Sequence, residues 1–157
     1  MSRRRRAVKR LINPDVKHND VTVAKFINML MKWGQKSVAE RIVYQALDKG
    51  SLTTKVPHAE FLDKSLNAIR PLLELKSKRI GGANYQIPVE VSYEQGILLA
   101  IRRLIKHSRK RNEKTMIDRL AAEMVDSLAN RGGAVKEREN IHKMAEANKA
   151  FAHLRFV

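Results

Sequence analysis

"KSKRIGGANYQIPVEV", residues 76–91, is the one stretch of this chain that breaks a helical pattern. Tyr85, Ile87, Val89 and Val91 alternate with Gln86, Pro88 and Glu90, behind a glycine pair and a leading arm that holds Lys76, Lys78 and Arg79. Period-two alternation beside paired glycines predicts two antiparallel strands joined by a tight turn. The ribbon is expected over residues 72–91, with Gly81, Gly82, Ala83, Asn84 and Tyr85 at and beside its turn.

On both sides of the ribbon the apolar spacing is helical. After Asp20, a candidate N-cap, Val23, Phe26, Ile27, Leu30 and Met31 fall on one face of a helix that stops at Gly34, with Lys25 and Lys32 on the other. A second helix is expected over residues 36–47, with Ser37 and Glu40 as a capping box and Val38, Ile42, Val43 and Ala46 facing inward. Gly50 to Pro57 reads as a loop. Phe61, Leu62, Leu66 and Ile69 mark a third helix that Pro71 stops. Beyond the ribbon, Ser92 and Gln95 form a capping box for a fourth helix. At about 100° per residue, its Ile97, Leu98, Ile101, Leu104 and Ile105 span one arc, and Arg102, Arg103, Lys106, Arg109 and Lys110 span an opposed one. A fifth helix runs from Thr115 to about Asn130 and stops at Gly132 and Gly133, and a sixth fills much of residues 134–153. The expected fold is mainly α: one domain over residues 1–157, a bundle of about six helices with a protruding two-stranded β-ribbon between the third and fourth. Residues 1–18 read as an extended basic arm ending in the turn signal Asn13, Pro14, Asp15.

The formal charge is +16, and its distribution carries more information than its size. Residues 1–10, 76–79 and 102–114 hold 16 of the 32 Lys and Arg but only one acid, Glu113, so the rest of the chain is nearly neutral. One-signed segments on a neutral scaffold are the footprint of a polyanion-binding protein, since solvated surfaces interleave their signs. The residues expected to contact RNA are Arg3, Arg4, Arg5, Arg6, Lys9 and Arg10 in the arm, and Lys25 and Lys32 on the first helix. To these are added Lys76, Lys78 and Arg79 on the ribbon, then Arg102, Arg103, Lys106, Arg109, Lys110, Arg111 and Lys114 in and after the fourth helix. A helical DNA-binding regulator is the alternative, but such a helix normally presents Asn, Gln or Ser beside Arg to read base edges, and this one offers mostly Arg and Lys. With eight aromatic residues in all, a single-strand stacking platform is not expected, and folded RNA gripped through phosphates and shape fits better.

Nothing in the sequence reads as an enzyme. The chain has no cysteine, its five histidines lack metal-ligand spacing, and the Gly81–Gly82 pair lacks the rest of a phosphate-loop signature. No metal, cofactor or small-molecule substrate is expected. The longest apolar run, residues 97–101, is far too short to span a bilayer, so no membrane partner is expected. Trp33, the one tryptophan, reads as core or a helix end, and Tyr85, in register with Ile87 and Val89, as packed.

Four stretches in order, "FINMLMKWGQKSVAERIVYQAL", "KRIGGANYQIPVEV", "RKRNEKTMIDRLAAEMVD" and "KMAEANKAFAHLR", resemble the signature blocks of the bacterial-type small-subunit ribosomal protein seven family. The resemblance extends over nearly the whole chain, including its arginine-rich start. It implies a primary binder of 16S rRNA that nucleates the head of the small subunit, with a β-ribbon near the exit-site tRNA and the mRNA path. The implied neighbours are small-subunit ribosomal proteins nine and eleven, and the implied location is the ribosome, cytoplasmic or organellar. Arg3, Arg4 and Arg5 match the family's basic start, Lys36 the second lysine of its "GKKS" block, Lys76, Arg79, Gly81 and Gly82 the ribbon, and Arg109, Lys110 and Arg111 the "RKR" after the fourth helix. Gln35 replaces the usual first lysine, and Ala83 and Asn84 stand where Ser and Thr are common. The 48–58 stretch follows no family pattern.

Overall fold

The computed structural model describes residues 8 and 10–155; the expectations for Arg3, Arg4, Arg5, Arg6 and Lys9 fall outside them. Its helices are α1 (Val21–Leu30), α2 (Lys36–Thr54) and α3 (His58–Ile69), then α4 (Tyr93–Ser108), α5 (Met116–Leu128) and α6 (Gly133–Ala147). Between α3 and α4 runs the ribbon, β1 (Leu73–Ile80) and β2 (Ala83–Glu90), and a 3-10 helix over Lys149–Arg155 follows α6. The fold is mainly helical with a hairpin between the third and fourth helices, as the period change at residue 76 requires.

Two helix starts are capped by a side chain. The Asp20 carboxylate accepts from the Thr22 amide at 2.7 Å and caps α1, and the Thr115 hydroxyl accepts from the Asp118 amide to cap α5. Helix α1 ends at Leu30, short of Gly34, because Lys32–Gln35 form their own turn: Gln35 N–H donates to the Lys32 carbonyl at 3.0 Å. Trp33 and Gly34 both have positive φ there, 52° and 78°, the signature of a type I′ turn. That turn delivers the chain straight into α2 at Lys36, one residue ahead of Ser37. The Ser37–Glu40 capping box is therefore not formed, and Gln35 caps without a side-chain bond. Ser92 does stand at the N-cap of α4, again without a side-chain bond.

The expected loop after Gly50 is instead helix: α2 runs on to Thr54 and stops at Lys55, whose φ is 57°. Two things sustain it. The Thr53 and Thr54 hydroxyls donate back to the Lys49 and Gly50 carbonyls, and Gly50 lets the Phe61 ring of α3 lie directly on the α2 backbone. A Cβ at Gly50 would collide with that ring. Glycine here marks a close approach of two helices, not a break.

The core is one contiguous cluster drawn from all six α-helices, with Phe26, Phe61, Leu62, Leu66, Ile69, Leu104, Leu120 and Met124 fully buried. Val38, expected inside, is partly exposed, and Ile97 and Leu98 are half-buried at the edge. The arm's root is tied down by Asp15, whose carboxylate accepts from the Tyr44 hydroxyl at 2.6 Å and from the amides of Lys17 and His18 at 3.1 Å. Burial resists ionisation of Asp15, but these donors prevail and hold its carboxyl below the ordinary range; burial and the same carboxylate push the Tyr44 phenol up to about 12.

The ribbon pairs Ile80 with Ala83 at the tip and Leu73 with Glu90 at the base. Gly81 and Gly82 have φ of 57° and 90°, the positive values that a two-residue I′ turn demands at both positions. Pro88, opposite Leu75, is tolerated because alternate amides of a two-stranded ribbon point away from the partner.

The Gly50 contact predicts the sign of a substitution. In an open helix Gly→Ala gains about 1 kcal/mol. At Gly50 the clash with a fully buried ring costs up to about 3 kcal/mol, which outweighs that gain. Gly50→Ala is expected to lower the midpoint of urea unfolding, and a raised midpoint would show that the two helices separate freely.

Candidate nucleic-acid interface

Helix α4 is the element on which the cations are sorted. Its buried residues Gly96, Ala100, Ile101, Arg103, Leu104, Ile105 and Ser108 occupy more than half its circumference, because α1, α3 and α5 cover one side and α6 another. Arg102, Lys106, Arg109 and Lys110 remain outside. With Ile105 and Met29 of α1 they line a hollow of about 580 Å³, apolar at its base and cationic at its rim. Arg103 departs from the expected outward face. Only 6% exposed, it lies at the flank that α6 closes, with one guanidinium nitrogen 4.0 Å from Glu74 of β1. Burial lowers its pKa, opposed by the charges of Glu137 and Glu74.

Two further cations are absorbed by acids of the fold. Lys106 donates to both Glu137 oxygens at 2.9 Å, and His107 shares the same carboxylate. Arg111 bonds Glu113 through Nε at 2.9 Å, and through Nη1 it reaches Glu123 and Asp126, each at 2.8 Å. Glu123 is 1% exposed and also accepts from the Ala134 amide at 2.9 Å, so Arg111 neutralises a buried charge that joins α5 to the start of α6. Burial disfavours the Arg111 guanidinium, yet its three carboxylate partners raise its pKa well above the ordinary value. Arg111, expected beside Arg109 and Lys110, thus ends on carboxylates of the fold, whereas those two do not. Of the seven cations in residues 102–114, Arg102, Arg109, Lys110 and Lys114 are exposed without an acid partner among the described residues.

Arg109 also borders a second hollow, of about 490 Å³, that sequence reasoning did not anticipate. It is lined by Leu30, Met31, Val38, Ala39, Ile42 and Met116, with Lys32, Arg109 and Arg119 at its edges. Trp33 stands here, 92% exposed, and is not core. Its neighbours Lys32, Gly34 and Gln35 were the available signal for a surface turn; no signal for Arg119 existed, since only the packing of α5 brings it near. Lys32 sits in this turn, not on a helical face shared with Lys25, which is half-buried. Lys36 is exposed and lines a third hollow with Ile12, Asn13 and Pro14 of the arm root. Helix α1 thus acts as a spine: Ala24 and Asn28 border the arm root, Met29 the cationic groove and Leu30 the Trp33 hollow. Arg10 is exposed on the arm side.

The ribbon belongs to another edge of the molecule. Its packing partners among the described elements are α6 and the 3-10 helix. Tyr85 packs against Phe151 in a tilted pair with ring centroids 5.4 Å apart, Ile87 is buried, and Lys78 donates to the Leu154 carbonyl at 3.5 Å. Tyr85, packed as its register predicts, is therefore not part of the exposed tip, and Lys78 is turned inward with it because strand positions 78 and 85 are paired on one face. Lys76, Arg79 and Gly81 to Asn84 stay exposed.

One cluster mimics catalytic chemistry without its geometry. His58 Nε2 lies 2.7 Å from Asp48 and 3.3 Å from the Ser51 hydroxyl, so acid and hydroxyl compete for the same ring nitrogen. A proton relay needs them on opposite nitrogens. Among the described residues no group of His, Asp and Glu could hold a metal ion, and no helix is long and apolar enough to cross a membrane.

A helical body with one tight ribbon and a cationic strip along and beyond α4 defines a small, basic, mainly helical protein. The sequence profile of the family described as Ribosomal protein S7p/S5e matches residues 2–149. The chain is 54% identical to small ribosomal subunit protein uS7 of Syntrophotalea carbinolica, and 49% identical to that of Syntrophus aciditrophicus. It is 54% identical to that of Paramagnetospirillum magneticum. In each case 99% of this chain and the full length of the relative are covered. The chain belongs to the Ribosomal protein S7p/S5e family.

Two outcomes follow from the ion pairs. Arg111→Gln strands the buried Glu123 carboxylate and should destabilise the fold by about 3 kcal/mol, read by urea unfolding; a loss under 1 kcal/mol would mean that Glu123 takes up a proton or another donor. Glu137 is disfavoured as an anion by burial, but Lys106 and His107 outweigh this and hold its carboxyl below the ordinary value of 4.5. Because the folded value is the lower one, its stabilisation is present above about pH 4.5 and is lost as pH falls through the folded value. Glu137→Gln should therefore flatten the acid side of the stability–pH curve, and an unchanged curve would remove Glu137 from the account.

Proposed function

We propose that this chain is a structural constituent of the small ribosomal subunit that binds 16S rRNA directly and helps to nucleate the subunit head. Family membership supports the ribosomal assignment, and the observation that carries the RNA-binding reading is the outward face of α4. Arg102, Arg109 and Lys110 share it without an acid partner among the described residues. Four cations, Arg102 and Lys106 on α4 and Arg109 and Lys110 just past its end, line one hollow and, among the described residues, only Lys106 has an acid to offset it, so the face gains most from a dense anion laid along it. Arg102, Arg109, Lys110 and Lys114, with Lys32, Lys36 and the arm from Arg10 outward, are the phosphate contacts of this reading. Lys106 contributes charge while tethered to Glu137.

The ribbon tip, Gly81 to Asn84, with Arg79 and Lys76, is the part assigned to the neighbourhood of exit-site tRNA and mRNA. A helix bundle cannot reach into such a path, whereas a ribbon anchored on α6 and ending in a two-residue turn can. Small-subunit ribosomal proteins nine and eleven are the proposed protein neighbours, and residues 1–157 act as one domain in the ribosome of a cell or an organelle. No catalytic step is assigned to the chain.

Each phosphate neutralised contributes about 0.7–0.9 to the slope of log affinity against log salt. Replacing Arg102, Arg109 and Lys110 together with Gln keeps helix propensity and should reduce the slope for a 16S rRNA head fragment by about 2–3 units. Arg111→Gln, by contrast, should leave it unchanged. An unaltered slope in the triple variant with intact helical circular dichroism would turn that face toward solvent or protein, and equal affinity for duplex DNA would favour a DNA-binding regulator instead.

A further inference from the structure

We propose that Trp33 is a stacking site for one unpaired nucleobase of the bound RNA, an inference that rests on the RNA-binding reading above. The sole tryptophan of the chain is 92% exposed, which forgoes the burial a large indole ordinarily gains. It is also held at φ 52°, a left-handed conformation unfavourable for a bulky side chain and natural for glycine or asparagine. An exposed ring at a strained position stabilises nothing in the free protein, and such strain is found where a surface is prepared for a ligand.

The surroundings select the ligand. Beside the indole, Val38 and Met116 contribute an apolar floor, while Lys32, Arg109 and Arg119 supply three cations at the rim. An apolar slot rimmed by positive charge complements a nucleotide, whose flat base stacks on an aromatic ring while its phosphate meets the cations. It does not complement a second copy of this basic chain. Arg109 is shared with the cationic groove of α4, so a backbone following that groove can turn one base over Arg109 into the slot without leaving the protein surface. A single site of this kind agrees with the scarcity of aromatic residues, which excludes a stacking track but not one anchored base.

Because Trp33 is the only tryptophan, its fluorescence reports on the site directly. A 16S rRNA head fragment is expected to quench its emission and to shield it from acrylamide. Trp33→Ala should weaken binding about tenfold, the usual loss for one stacked base, and Trp33→Phe should restore most of it. The salt slope should stay at the wild-type value in both, since no charge is removed. Trp33→Asn, which suits the left-handed turn and has no ring to stack, guards against a misfolding artefact and should bind as weakly as the alanine variant. Wild-type affinity in the Ala and Asn variants, or a tryptophan that stays open to acrylamide in the RNA complex and is shielded only when other subunit proteins are added, would overturn the inference while leaving the RNA-binding reading intact. Absence of salt-dependent RNA binding by the wild-type chain would defeat both.

Discussion

The rest of the molecule depends on how completely α4 is enclosed. A helix that packs on one stripe leaves most of its circumference to solvent, whereas α4 is wedged between α1, α3 and α5 on one side and α6 on another, so more than half of it is covered. That enclosure takes Ile101 and Leu104 to full burial and carries Arg103 in with them. Along its second half, what remains outside is a narrow strip of cations. The strip is narrow because the core is wide, and its narrowness concentrates the charge.

Acids then decide which cations stay available. Glu123 would be untenable in the core without compensation, and Arg111 supplies it together with the Ala134 amide. Glu137 likewise anchors Lys106 and His107 to the first turns of α6. Gly132 and Gly133 make these junctions feasible. A Cβ on the first would meet Glu123 at 2.9 Å, and one on the second would meet His107 at 2.7 Å. The same basic segment therefore performs two jobs: some of its charges hold helices together by ending on carboxylates, and the others project outward.

The ribbon follows a different logic. Its inner face is closed by Phe151 and the 3-10 helix, which converts a marginal two-stranded hairpin into a supported arm. The tip and Lys76, Ser77, Arg79, Gln86 and Glu90 are left exposed. The helix that carries the cationic groove and the ribbon are joined through Arg103 and Glu74.

The sequence by itself determined most element types, the ribbon with its tight glycine turn, the Asp20 cap and the basic segments, because these rest on periodicity, paired glycines and local charge. Four family blocks in order were likewise legible, being contiguous. Tertiary structure alone decided which cations face outward, since an arginine at the flank of a helix is exposed or buried according to whether another helix arrives, and α6 arrives from 30 residues away beside Arg103. It decided that Gly50 continues a helix, because the Phe61 ring that requires the glycine comes from α3. It decided that Trp33 is surface, through a turn closed between Lys32 and Gln35 that ends α1 early. Local spacing fixes what a segment is, but which of its faces meets solvent is set by partners distant in sequence, and no window along the chain contains them.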